Sequence, residues 1–304
     1  VRGQPVRVAA IDCGTNTIKL LVLDEDGADL EREMRIVRLG QDVDRTGRLA
    51  EEALERTFAA VEEYADLVAR HGVDRVRFCA TSATRDAANA ADFAAGVRAR
   101  LGVAPEVVSG DEEAALAWAG AKRGLPGLAG PVVVLDIGGG STELVLGSGA
   151  TPDAAHSMDI GSVRMTERHL RSDPPSADEV AACVADVESA LDACPVDPGA
   201  AVTLVGVAGT VTTLAAGVIG LTAYDRSATH GARLPVAQVH ALCDRLVGST
   251  AAERAQMAWL HPGRADVIAA GALVLSRVLA RSRVSELVVS EADILDGIAW
   301  SLRE

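Results

Sequence analysis

The stretch that most constrains this chain is residues 131–146, PVVVLDIGGGSTELVL. Val132, Val133, Val134 and Leu135 form a continuous apolar run, the pattern of a strand buried on both faces. Asp136 ends the run, Gly138, Gly139 and Gly140 follow, and Ser141 and Thr142 supply hydroxyls before Glu143 opens a second apolar run. Three adjacent glycines carry a heavy entropic cost. In return the backbone can turn sharply and bring its N–H groups close to an anion. Asp136 and Glu143 flank that turn, and carboxylates beside a bound phosphate would repel it. A hard cation such as Mg²⁺ between them resolves the conflict. The bland alternative is a glycine-rich hairpin, but hairpins seldom need three glycines bracketed by acids.

The same order of features occurs near the start. Residues 6–11 are a strand-like VRVAAI, then come Asp12, CGTNT and a second apolar strand over 18–23. A repeat on this scale predicts a duplicated fold in which each copy places an acid and a small polar turn at a strand end. The second residue of CGTNT is Gly14, and Thr15, Asn16 and Thr17 complete the turn. Cys13 points opposite to Asp12 and has no base beside it in sequence, so it reads as core.

With 304 residues and 49% hydrophobic side chains, the chain can build two domains of ordinary size. Aromatics are only 3%, which leaves the cores to Val, Leu, Ala and Ile. A net charge of −14 argues against a nucleic-acid or membrane-surface partner, so an anionic ligand needs a local basic pocket. Five scattered cysteines without a CxxC argue against zinc and a disulfide framework, and suit the cytoplasm.

Between the two acid turns lie an amphipathic helix over 49–71 and a strand over 76–80. That strand is followed by TSATR, where Ser82 and Arg85 are candidate phosphate contacts. A helix follows over 109–122, with Ser109 or Asp111 as cap and Glu112 and Glu113 in its first turn. Either glutamate could serve the helix dipole or project into a cleft as a base, and sequence physics leaves the choice open. GLPGLAG, 124–130, is the best linker. It divides the chain into domains 1–124 and 125–304. Beyond it, Arg164, Arg168 and Arg171 share a helical face, either a polyanion patch or a solvated basic face. Gly209 and Thr210 open a helix whose N-terminus can hold another phosphate or a nucleotide. Mixed strands and helices throughout give an α/β class with mixed sheets.

AAIDCGTNTIKLLVLD, RLGQDVDRTGRL, ATSATR, VSGDEEA, VVLDIGGGSTELV, DIGSVR, GVAGTVTTLAA and VSEADILDGIA follow one another as in the exopolyphosphatase and pppGpp-phosphatase (Ppx/GppA) family. The chain resembles the short members of that family over its whole length. The resemblance implies two ribonuclease-H-like domains of the actin-like ATPase (ASKHA) superfamily with a cleft between them. It implies Mg²⁺-dependent hydrolysis of the terminal phosphoanhydride of inorganic polyphosphate, with pppGpp as the alternative substrate. Glu113 matches the family's catalytic glutamate, and Asp136 and Glu143 match its metal-linked acids. Asp12, the equivalent acid of the first copy, joins them as a candidate. Gly14, Thr15, Asn16 and Thr17 match the first phosphate loop, and Arg85 the phosphate-binding arginine. A homodimer is expected on the same ground. A kinase on this fold and a non-catalytic polyphosphate or alarmone sensor are the competing readings.

Overall fold

A computed structural model describes residues 6–303, so residues 1–5 and 304 of the two expected domains lie outside it. The first lobe is a five-stranded sheet of β1 (Val8–Cys13), β2 (Thr17–Leu23), β3 (Asp29–Ile36), β4 (Arg75–Ala80) and β5 (Glu106–Val107) in the order β3-β2-β1-β4-β5. The second is six-stranded. Its members β6 (Val132–Ile137), β7 (Thr142–Gly147), β8 (Ala154–Met158), β9 (Thr203–Val207), β10 (Arg233–Pro235) and β11 (Glu286–Val289) run in the order β10-β11-β9-β6-β7-β8. In each sheet the first strand pairs antiparallel with the second and parallel with the strand on its other side. The repeat read around Asp12 and Asp136 is therefore a repeat of topology, β1–β2–β3 matching β6–β7–β8. The architecture is that of the actin-like ATPases.

Side-chain alternation aims the acids. On β1, Ala9, Ile11 and Cys13 pack under the helices on the outer face, while Val8 and Ala10 face the other lobe. On β6, Val133, Leu135 and Ile137 face outward, and Val132 and Val134 face inward. Asp12 and Asp136 share the parity of the inward set, so each strand delivers its acid to the interlobe side.

One helix, Gly110–Gly124, serves both lobes. Its Leu116 and Ala117 pack on the first sheet, and its Ala114, Trp118 and Ala121 pack on the second. The helix Ile294–Ser301 crosses it and returns the end of the chain to β1, through Ile294, Leu295, Ile298 and Ala299. That crossing is close enough to need glycine on both sides. A Cβ on Gly120 would collide with the Asp293 carbonyl, and one on Gly297 with the Leu116 carbonyl. Glu113, in the first turn of one helix, and Asp293, the N-cap of the other, are thereby held by a closely packed helix pair.

Candidate active site

The two acid turns meet across the cleft. A Cβ on Gly139 would lie 2.9 Å from Thr15 Cβ and 3.1 Å from Asn16 N. One on Gly140 would strike Ser82 Oγ and Thr15 Oγ1. The glycines are thus needed for close approach of two lobes as well as for the turn. The start of the helix Ser162–His169 shapes the second turn from behind: Ser162, Val163 and Arg164 N–H groups donate to the Gly138 and Gly139 carbonyls. With those carbonyls drawn back, the N–H groups of Gly139, Gly140 and Ser141 find no acceptor among the described residues, nor do those of Thr15 and Asn16. Thr15 Oγ1 and Asn16 Oδ1 are also buried without partners. Unsatisfied polar groups concentrated in one cleft are what an anion site requires.

The cleft encloses about 60 Å³ and is lined by Asp12, Glu113 and Asp136, by the turn residues Gly14, Thr15, Asn16, Thr17 and Gly138, Gly139, Gly140, Ser141, and by Ser82, Gly209 and Thr210. Thr142 is not among them. It is fully buried, and its hydroxyl donates to the Ile160 carbonyl at 2.9 Å. It therefore braces the turn instead of facing phosphate, as expected of it from sequence.

The structure separates the two glutamates of the first turn. Glu112 is exposed and pairs with Arg77 at 2.6 Å on the outside. Glu113 is 8% exposed and faces the cleft. Burial raises its pKa to about 7 against the pull of Arg85, whose Nη1 donates to Glu113 Oε2 at 3.0 Å and to the Val108 carbonyl at 2.8 Å. Arg85, expected on phosphate, spends its contacts orienting that carboxylate.

Asp136 and Glu143 stand directly opposite on β6 and β7. Burial pushes both carboxyls well above the usual range, and neighbouring acids add to it. Ser157 donates to Glu143 Oε1 at 2.6 Å, but among the described residues neither acid forms an ion pair with a basic side chain. Two buried, mutually repelling carboxylates fit a hard divalent cation. No group of three or more His, Cys, Asp or Glu converges as a cage among the described residues. Mg²⁺ binds through one or two carboxylates, waters and substrate phosphates. Asp12 differs, because Lys19 lies 3.3 Å from it.

Sequence reasoning missed three members of the site. Lys19 Nζ sits 2.7 Å from Asp293, whose side chain is also buried. Burial alone would lower the lysine's pKa, but Asp293 and Asp12 raise it. Arg264 packs over Gly209, and no carboxylate bridges it among the described residues. Burial lowers its pKa. With Lys19, Ala208 and Gly209 it lines both the cleft and an adjoining cavity of about 440 Å³, walled by Met34, Trp259 and Pro262.

Two related lobes closing on an anion-binding, acid-lined cleft define a phosphoryl-transfer protein of the actin-like ATPase class. The chain belongs to the Ppx/GppA phosphatase family, whose profile matches residues 22–303. It is 49% identical to Exopolyphosphatase 2 of Mycobacterium tuberculosis, over 97% of this chain and 98% of that protein. A crystal structure of an exopolyphosphatase-like protein superposes with a TM-score of 0.95 at 44% identity, covering 98% of this chain and 99% of that one. The Aquifex aeolicus Ppx/GppA family member superposes at 0.81 with 33% identity, over 98% of this chain and 97% of its own.

Proposed function

We propose that this protein is an exopolyphosphatase: water attacks the terminal phosphorus of inorganic polyphosphate, the bridging P–O bond breaks, and orthophosphate leaves. One observation carries the reading: Glu113, poised near pH 7, lines the same cleft as two turns whose N–H groups lack acceptors. Ionised Glu113 takes the proton of the attacking water, a role worth about 10²–10⁴-fold. Arg85 fixes the carboxylate's direction. The free N–H groups of Thr15, Asn16, Gly139, Gly140 and Ser141, with the Thr15 hydroxyl, receive the oxygens of the transferring phosphoryl group. Arg264 and Lys19 offer positive charge to the phosphates behind it. Asp136 and Glu143 would hold Mg²⁺, which when bound neutralises charge on the terminal phosphate.

The tight cleft favours short chains, which reach from it into the adjoining cavity. That cavity favours a second reading, a pppGpp 5′-phosphatase. Its volume and partly apolar wall suit a nucleoside placed beside the phosphate turns. Phosphate release from tripolyphosphate, long polyphosphate and pppGpp, with and without Mg²⁺, tests both. Faster release from short polyphosphate supports the first, and from pppGpp the second. Binding without release in Mg²⁺ would leave a sensor. Light scattering of the purified chain tests the expected homodimer.

A further inference from the structure

Two of the three arginines read as either a polyanion patch or a solvated basic face do something else. Arg171 lies beyond the helix Ser162–His169, exposed, while Arg164 is 9% exposed and bound on every side. Its guanidinium donates to the Gly140 carbonyl of the second-lobe turn at 2.8 Å, and to Ser82 Oγ of the first lobe at 3.3 Å. It also forms ion pairs with Asp44 and Asp86, both first-lobe acids. Arg168 reinforces the bridge by pairing with Asp44 as well. Gly140 and Ser82 are the two sides of a close interlobe approach, where a Cβ on the glycine would strike the serine hydroxyl. One side chain therefore holds both sides of the gap that the phosphate must enter, without lining that gap itself.

We propose that Arg164 is a positioning residue that sets the spacing between the two phosphate turns. The inference rests on the phosphate-cleft reading above. A planar fork with five donors can bind a carbonyl, a hydroxyl and two carboxylates at once, which an ammonium cannot. Without it the turns spend part of their time apart, and apparent affinity falls by the fraction of molecules still closed. Saturating substrate recloses them, so the loss concentrates in KM.

The test uses the full chain, with tripolyphosphate as probe, read by phosphate release and by calorimetric Kd in Mg²⁺. Arg164→Met should raise KM and Kd about tenfold while kcat falls less than about threefold, with Arg164→Lys between it and the wild type. Should Arg164→Met not fold, Asp44→Asn with Asp86→Asn keeps the arginine and carries the same expectation. A folded variant with a lower Tm but unchanged KM and Kd would make Arg164 a structural staple and overturn the inference. If the wild type binds tripolyphosphate but releases no phosphate, the hydrolase reading fails. The Kd comparison still decides the role of Arg164.

Discussion

The hairpins β1–β2 and β6–β7 are built alike and wired differently. Each ends its first strand on an acid, at almost equal burial: Asp12 is 5% exposed and Asp136 is 6%. The residue opposite Asp12 is Lys19, and the residue opposite Asp136 is Glu143. In the first lobe the buried charge is answered within the hairpin, and Asp293 shares the same ammonium. In the second lobe two carboxylates face each other; among the described residues neither forms an ion pair, and Lys19 acts on Asp136 only at longer range. Burial raises the carboxyl pKa in both hairpins, but Lys19 opposes it directly at Asp12, while Asp136 adds to it at Glu143. Burial does not distinguish the copies, so the cross-strand partner decides which one needs an outside cation.

Copying the first wiring into the second gives the largest expected effect. Glu143→Lys should supply the missing cation from the protein, displace the metal and cut Mg²⁺-dependent phosphate release by about 10⁴-fold. Retention of metal-dependent turnover within tenfold of wild type would break the contrast. Next comes Glu113→Gln, which alters neither hairpin and keeps the shape of the shared helix. It should lower kcat by about 10²–10⁴-fold while circular dichroism and Mg²⁺ binding stay unchanged. Wild-type turnover in that variant would remove Glu113 from the chemistry. Lys19→Met then strips the first hairpin of its answer and leaves Asp12 and Asp293 buried without a cation. Losing one partner of a buried pair costs about 3–5 kcal/mol. Urea unfolding with an unchanged m-value should report that loss, and a neutral result would show that Lys19 is not what stabilises those acids.

What was legible in the sequence was local. The acid-turn-strand units announce themselves within a few residues. Lys19 was legible in principle, as a lone cation in an apolar strand standing in the first copy where Glu143 stands in the second. Comparing the copies position by position, and not only by their acids, would have found it. Asp293 and Arg264 carry no such local mark: Asp293 reaches the cavity beside the cleft because the last helix returns to the first sheet, and Arg264 reaches the cleft because it packs over Gly209. Sequence physics alone did not separate Glu112 from Glu113; the family resemblance pointed to Glu113, and packing turns Glu112 outward to Arg77. Arg164 misled, because helical spacing predicts a shared face and says nothing of acids arriving from the other lobe.

The smallest effect is a pH dependence of stability. Burial raises Glu113 from 4.5 to about 7, and raises Asp136 and Glu143 as well. An acid whose folded pKa lies above its unfolded one binds more protons folded than unfolded, so folding is favoured by low pH. For Glu113 that stability is fully present below pH 4.5 and is lost as pH rises toward 7. The metal-free protein should therefore lose a few degrees of Tm between pH 5.5 and pH 7.5, once acid unfolding at lower pH is avoided. Mg²⁺ favours ionised Asp136 and Glu143, so it should raise Tm more at pH 7.5 than at pH 5.5 and flatten the slope. Asp12 is raised as well, against the pull of Lys19, and adds to the slope in the same direction. Calorimetric scans with EDTA and with Mg²⁺ at the two pH values check this. A metal-free Tm that climbs with pH would mean that the second hairpin is as well neutralised as the first, and the contrast between the copies would fail.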